Sequence, residues 1–402
     1  MSAASIISPK SEADVSKAVT QAAANDDRLR LTGGGTRMEV GRPSQYTKTL
    51  DLSGLSGITL YEPSEMIIGA WAGTPVADID AALAQHNQML TFEPVDYRDL
   101  MGTKGEPTIG AAVASNNSGP RRIYAGAARD SLIGVRFVNG SGEVVKNGGR
   151  VMKNVTGLDL VKLQAGAWGT LGVLTEVIFK VLPRPETVVT LVLDDLDDNT
   201  AVKAMCAAMA TPYEVTGAAH QPGSGLEKAG SKTWLRIEGM AESVRYREGK
   251  LADALSGFGL TGKLEGPQSD AVWRAVRDVG CLKEQNRRTD MAERAVWRVS
   301  LPPTKGPDFV AASGALSYFY DWSGGLIWMT TDLDVDTAAI HALAASLGGH
   351  ALLVRAPVDV RAKASVFQPQ PAAIAQLNAG IKASFDPLQI LNPGLMVPEA
   401  AR

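Results

Sequence analysis

Hydrophobic residues in the first part of the chain recur at two spacings. Val15, Ala18, Val19 and Ala22 follow at steps of three and four, the period of one helix face. Ser11 and Asp14 stand ahead of them at the spacing of a capping box. Leu29 and Leu31 then alternate with arginines, as in a half-buried strand. Further strands are expected near residues 48–52, 57–61 and 66–72. A helix is expected in TPVADIDAALAQHN (74–87), with Thr74 as cap and Pro75 at its first position. TIGAAVASNNSGPRR (108–122) reads as a small-residue helix ending in Asn, Ser and Gly. SLIGVRFVN and EVVKNGG around Gly-Ser-Gly read as a hairpin, and a glycine-dense turn leads into an apolar strand at 172–182. Pro183 and Pro185 mark a boundary.

Beyond it the order of elements repeats. A strand (187–193), a helix (200–209), a strand (233–240) and a helix (243–257) are followed by a helical connector near 270–279. Then come a strand in AVWRVSL, a short helix in GPDFVAAS, a hairpin of ALSYFYDW and GGLIWMTTD, a helix in VDTAAIHALAASLGG and the strand ALLVRAP. Two such passes predict an α+β sheet with helices on one face, similar to paired ferredoxin-like units. The expected division is 1–183, 184–356 and 357–402, the last being a helix and an irregular tail marked by Pro, Asn and Gly.

Composition narrows the function classes. A length of 402 residues exceeds what one hydrophobic core usually serves. A formal net charge of −3 gives no electrostatic case for nucleic acid. No apolar run reaches the length of a membrane span, and MSAASIISPKSEADV has no secretory pattern, so a cytoplasmic location is expected. Cys206 and Cys281 are too few for an iron–sulfur cluster. His86, His220, His341 and His350 are scattered without metal-ligand spacing. No protein-ligated metal is expected, and redox chemistry then requires an organic cofactor.

Three glycine clusters carry the candidate chemistry. The first, LRLTGGGTR, lacks the last glycine of a dinucleotide fingerprint. GFGLTGKL (257–264) matches a phosphate loop except that Leu264 replaces the Ser or Thr that holds Mg²⁺. Successive N–H groups in GGGT form an anion cradle, with Thr32 and Thr36 adding hydroxyls; a plain turn between strands is the alternative. In the second cluster Thr108 opens a helix whose free N–H groups favour phosphate. The third is GAWGTLGVLTEV.

These stretches, with FDPLQILNPGLM near the C-terminus, resemble the flavin proteins of the vanillyl-alcohol-oxidase and cresol-methylhydroxylase type. Such proteins bind FAD in a domain of two α+β halves, with a cap domain inserted before a returning C-terminal segment. Within the group, TIGAAVASNNSGPRR and YAGAARDSLIGVRFVNG are most similar to the FAD-binding subunits of bacterial glycolate oxidases. The resemblance implies that Thr32, Gly33, Gly34, Gly35 and Thr36 hold the pyrophosphate. It places Thr108, Gly110, Asn116, Ser118 and Gly119 along the flavin, Gly169, Gly172 and Val173 near the adenosine, and Asn392 over the ring system. It also implies a related FAD-containing catalytic subunit, an iron–sulfur subunit and a small 2-hydroxy acid as substrate. Membrane contact would then come only through those partners.

Departures from the group shape the expectation. Thr36 stands where some relatives carry a flavin-tethering His, so FAD should be noncovalent. No histidine-rich HGDGN-like stretch is present, and no catalytic base is evident. Arg121, Arg122 and Arg129 are candidates to hold a carboxylate, with surface or ion-pair roles as the alternative. The aromatics Trp297, Tyr318, Tyr320, Trp322 and Trp328 are either partner anchors or alternating core residues. Two other readings stay open: a self-sufficient FAD-dependent hydroxy-acid or alcohol dehydrogenase, and a structural subunit with a vestigial flavin site.

Overall fold

A computed structural model describes residues 5–150, 157–223, 230–285 and 294–398. The chain divides into two compact units. The first comprises Met1–Ser118, Gly126–Pro183 and Pro369–Arg402; the second comprises Gly119–Ala125 and Arg184–Gln368. Residues 357–368 therefore belong with the second unit, because Leu353 and Leu352 of its last strand pair with Val366 and Phe367.

The first unit opens with a parallel three-stranded sheet in the spatial order Ser5–Ile7, Lys48–Asp51, Leu29–Thr32. The helix Glu12–Ala24 packs on it. Its buried face is Val15, Ala18, Val19 and Ala22, as the spacing predicts, against Leu29, Leu50, Val173 and Leu391. The Ser11 hydroxyl accepts from Asp14 N–H, and the Asp14 carboxylate accepts from Lys10 N–H. A second sheet is antiparallel, in the order Ile58–Glu62, Ile67–Trp71, Val173–Lys180, Leu132–Val138, Val144–Gly148. The helices Val76–Ala84 and Ile109–Ser115 cover it through Ile79, Leu83, Ile109, Ala112 and Val113. Thr74 does not cap the first of these helices. Its hydroxyl is taken by Trp71 O and Gly57 N–H, so Pro75 holds the cap position.

The second unit is an eight-stranded antiparallel sheet. Its order is Leu260–Glu265, Thr187–Asp194, Lys232–Gly239, Val215–Gln221, Ser317–Asp321, Leu326–Thr331, Ala295–Ser300, His350–Arg355. Each half has the chain order strand–helix–strand–strand–helix–strand, so two ferredoxin-like repeats join edge to edge. The paired residues at the seam are His220 and Tyr320. The helices Asp198–Met209, Ala241–Ala254, Gly306–Ser313 and Thr337–Ser346 bury one sheet face around Leu235, Trp297, Tyr320 and Met329.

Two features differ from the sequence expectation. GKLE of the apparent phosphate loop lies on the edge strand Leu260–Glu265, with no loop-to-helix turn to cradle an anion. The helix Gly266–Arg277 packs on the other sheet face, where Trp273 donates to the Thr190 hydroxyl and lies under the Arg236 guanidinium. The five aromatics are core residues: Trp297, Tyr320, Trp322 and Trp328 are buried and Tyr318 is half-buried.

Candidate functional site

The first unit holds a cavity of about 930 Å³, part of it open to solvent. Nine residues singled out from sequence line it: Thr32, Gly33, Gly34, Gly35, Thr36, Thr108, Gly110, Gly169 and Asn392.

Each glycine of the loop has its own reason. A Cβ on Gly34 would fall 1.7 Å from Glu106 O, and one on Gly33 would fall 2.4 Å from Thr108 Oγ1. Those two glycines let the loop press against the segment leading to the Ile109–Ser115 helix. Gly35 has φ +73°, which a side chain disfavours. The helix start expected from sequence to favour phosphate is largely committed elsewhere, because Ile109 N–H donates to Thr74 O and Gly110 N–H to Ala72 O, which leaves the glycine loop as the candidate anion cradle.

Charge is asymmetric across the loop. Its far side opens toward Asp51, Asp78 and Glu106, an unfavourable surface for phosphate. The cavity side carries Arg30 and Arg37. Arg30 donates to Met38 O and stacks on Tyr46, bracing the following segment. Arg37 Nη2 donates to Val95 O at 2.9 Å and its guanidinium lies 5.1 Å from the centre of the Tyr97 ring. Its Nε and Nη1 are buried without a hydrogen-bond partner. Burial lowers the Arg37 pKa, against the opposing pull of Tyr97 and Asp96. A buried guanidinium with two unmatched N–H groups beside an anion cradle fits a dianionic pyrophosphate.

The C-terminal segment completes the wall. Asn392 Oδ1 accepts from Leu31 N–H and its Nδ2 donates to Trp168 O, both at 2.8 Å. Asn392 thus ties the strand entering the glycine loop to the third glycine cluster. A Cβ on Gly169 would fall 3.0 Å from Asn392 Nδ2, so that glycine permits the approach. Lys382 steadies the segment by donating to Thr170 O, Leu391 O and the buried Asp386 carboxylate. Burial lowers the Lys382 pKa, and Asp386 opposes that shift.

The other sequence candidates lie elsewhere. Gly172 packs against Phe137, where a Cβ would meet Cδ2 at 2.5 Å, and Val173 is fully buried in the core. The Asn116 side chain accepts from Arg129 N–H, and the Ser118 hydroxyl accepts from Ala128 N–H, so both hold their own turn. Gly119 belongs to the second unit, where its carbonyl accepts from Trp322 Nε1.

Of the three arginine candidates, Arg121 is committed to Glu238 through two hydrogen bonds of 2.7 and 2.9 Å, with both side chains largely buried. Arg129 is exposed. Arg122 stacks on Trp322 within the second unit. Sequence reasoning missed Arg37, whose only local signal is a basic residue directly after the loop. Among the described residues no cluster of three or more His, Cys, Asp or Glu is placed to hold a metal ion.

The FAD binding domain family matches residues 3–148. The chain is 32% identical over 392 residues to the glycolate oxidase subunit GlcE of Escherichia coli, covering 96% of this chain and 99% of that protein. It is 26% identical to the glycolate oxidase subunit GlcD of Bacillus subtilis, over 99% of this chain and 89% of the relative. The fold matches p-cresol methylhydroxylase solved with substrate bound, at TM-score 0.69 and 14% identity, covering 98% and 88% of the two chains.

Proposed function

The chain belongs to the family of the glycolate oxidase subunit GlcE and its cofactor is FAD; from that premise we propose that it is the FAD-binding subunit of a complex oxidising a small 2-hydroxy acid to the 2-oxo acid. Electrons would leave through an iron–sulfur partner, and a related FAD-containing subunit would stand beside it. The observation carrying this reading is the cavity where the glycine loop, Thr108 and Arg37 converge.

When bound, FAD supplies the two-electron acceptor for a carbinol carbon. The protein's residues hold and orient it. Loop N–H groups of residues 33–36 and Arg37 would neutralise its phosphates, with the Thr36 and Thr108 hydroxyls on the same wall. The small residues Ala111 and Ala114 leave room for its length, while Gly110 is a glycine because a Cβ there would fall 2.7 Å from Ala72 O. No cysteine or histidine lines this wall, which supports noncovalent binding. No helix among the described residues is long and apolar enough to cross a membrane, which supports membrane contact only through partners.

The test is an absorbance spectrum of the purified chain, repeated on the supernatant after acid precipitation. Flavin bands released into the supernatant are expected. Anaerobic glycolate or D-lactate, added to the chain alone and then to the chain with its partners, separates a self-sufficient enzyme from a complex subunit. Colourless protein that gains no thermal stability from added FAD would overturn the reading.

A further inference from the structure

The turn after the helix Leu160–Gln164 is built on left-handed backbone. Gly166, Trp168 and Gly169 have φ of +89°, +54° and +70°. That conformation is open to glycine and costly for a bulky side chain. The chain places glycine at two of these positions and tryptophan at the third.

Hydrogen bonds pin the turn on both sides of Trp168. Gly166 N–H donates to Val113 O at 3.0 Å and Trp168 N–H to Ala114 O at 2.8 Å, which fastens the turn to the end of the helix Ile109–Ser115. Trp168 O accepts from Asn392 Nδ2 at 2.8 Å. The left-handed conformation at Trp168 is thus set by its neighbours in the fold.

Trp168 is half-buried and lines the cavity of the glycine loop, together with Ala114, Gly169 and Asn392. Among the described residues lining that cavity it is the one aromatic. A costly backbone conformation at a cavity wall points to a use for the side chain that glycine could not serve. An indole stacks well on a flat conjugated ring, and a platform with a fixed backbone loses little freedom in doing so.

We propose that Trp168 is the stacking platform for one of the two ring systems of FAD. This rests on the cofactor reading above and adds to it a residue that holds a ring rather than the phosphates.

The experiment is calorimetric titration of the flavin-free full-length chain with FAD, and separately with FMN and ADP, which carry one ring system each. It is repeated on Trp168→Leu, which keeps bulk without a ring, on Trp168→Phe, which keeps a ring, and on Trp168→Gly, which suits the backbone. Melting temperature without FAD checks that each variant folds. Trp168→Leu and Trp168→Gly should weaken FAD binding about tenfold or more, and Trp168→Phe by no more than about threefold. A loss shared by FMN assigns the isoalloxazine to Trp168, and one shared by ADP assigns the adenine. Should Trp168→Gly fail to fold, the comparison of Trp168→Leu with Trp168→Phe still decides. The platform is overturned if Trp168→Leu binds FAD like wild type, if Trp168→Phe loses as much as Trp168→Leu, or if neither FMN nor ADP shares the loss. Wild type that fails to bind FAD would overturn the cofactor reading itself, an outcome distinct from tight binding that is indifferent to residue 168.

Discussion

Asn392 accepts the backbone N–H of Leu31 across more than three hundred residues of sequence, at 2.8 Å. With its second bond to Trp168 O, one amide side chain closes the wall of the cavity at two points. Replacing Asn392 by Ala leaves a buried N–H and a carbonyl unmatched. We expect a loss of about 1–3 kcal/mol in denaturant unfolding and a lower flavin-to-protein absorbance ratio. An unchanged ratio would show that the clamp does not shape the cavity.

Gly34→Ala places a methyl group 1.7 Å from Glu106 O. Because the obstacle is backbone, the loop itself must move. A loss of about 3 kcal/mol or more is expected, seen as a fall in melting temperature that added FAD does not restore. Gly380, in the helix Ala372–Phe385 with open space beside it, is the contrast. Gly380→Ala should stabilise by about 0.5–1 kcal/mol.

Arg37→Met separates two effects of opposite sign. It removes a buried guanidinium with two unmatched N–H groups, so the chain without FAD should be at least as stable as wild type. FAD affinity, read by quenching of flavin fluorescence on titration, should fall about tenfold. A variant that is less stable without FAD yet binds it normally would make Arg37 a structural residue only.

Asp198 sits at the seam of the two repeats in the second unit. It accepts from the Tyr318 and Tyr320 hydroxyls, both at 2.8 Å, with His220 Nε2 at 3.5 Å. Burial opposes its ionisation, but the nearby His220 ring and the hydrogen bonds from Tyr318 and Tyr320 outweigh burial and hold its pKa below the usual carboxylate range. A lowered folded-state pKa means that the carboxylate stabilises above the unfolded value, about 3.9, and loses that contribution as pH falls through the folded value. Asp198→Asn should therefore lower the melting temperature clearly at pH 7 and much less near pH 3. A difference that is constant with pH would rule out the ionic part of the network.

Elements with their own periodicity were legible in the sequence. The face Val15, Ala18, Val19 and Ala22 and the hairpin Ser317–Asp321 with Leu326–Thr331 need only neighbours in sequence to be read. The α+β class of the second unit was legible because the order of its elements repeats. What could not be read depends on residues far apart in the chain. Gly172 is a glycine because of Phe137, and Gly34 because of Glu106, so a glycine cluster cannot say which member faces a ligand and which faces backbone. Arg37 finds Val95 and Tyr97 only after folding, and Arg122 meets Arg298 and Trp322 only on the finished sheet. The edge strand Leu260–Glu265 was hidden because Gly and Lys break its apolar alternation.

The route of the chain has a consequence for synthesis. It passes between the two units four times, and the last part of the first unit, Pro369–Arg402, follows the whole of the second. A ribosome therefore completes the second unit while the cavity wall still lacks Asn392 and Leu395. The glycine loop is made early but must wait for its clamp. Closure of the cavity wall thus follows synthesis of the second unit.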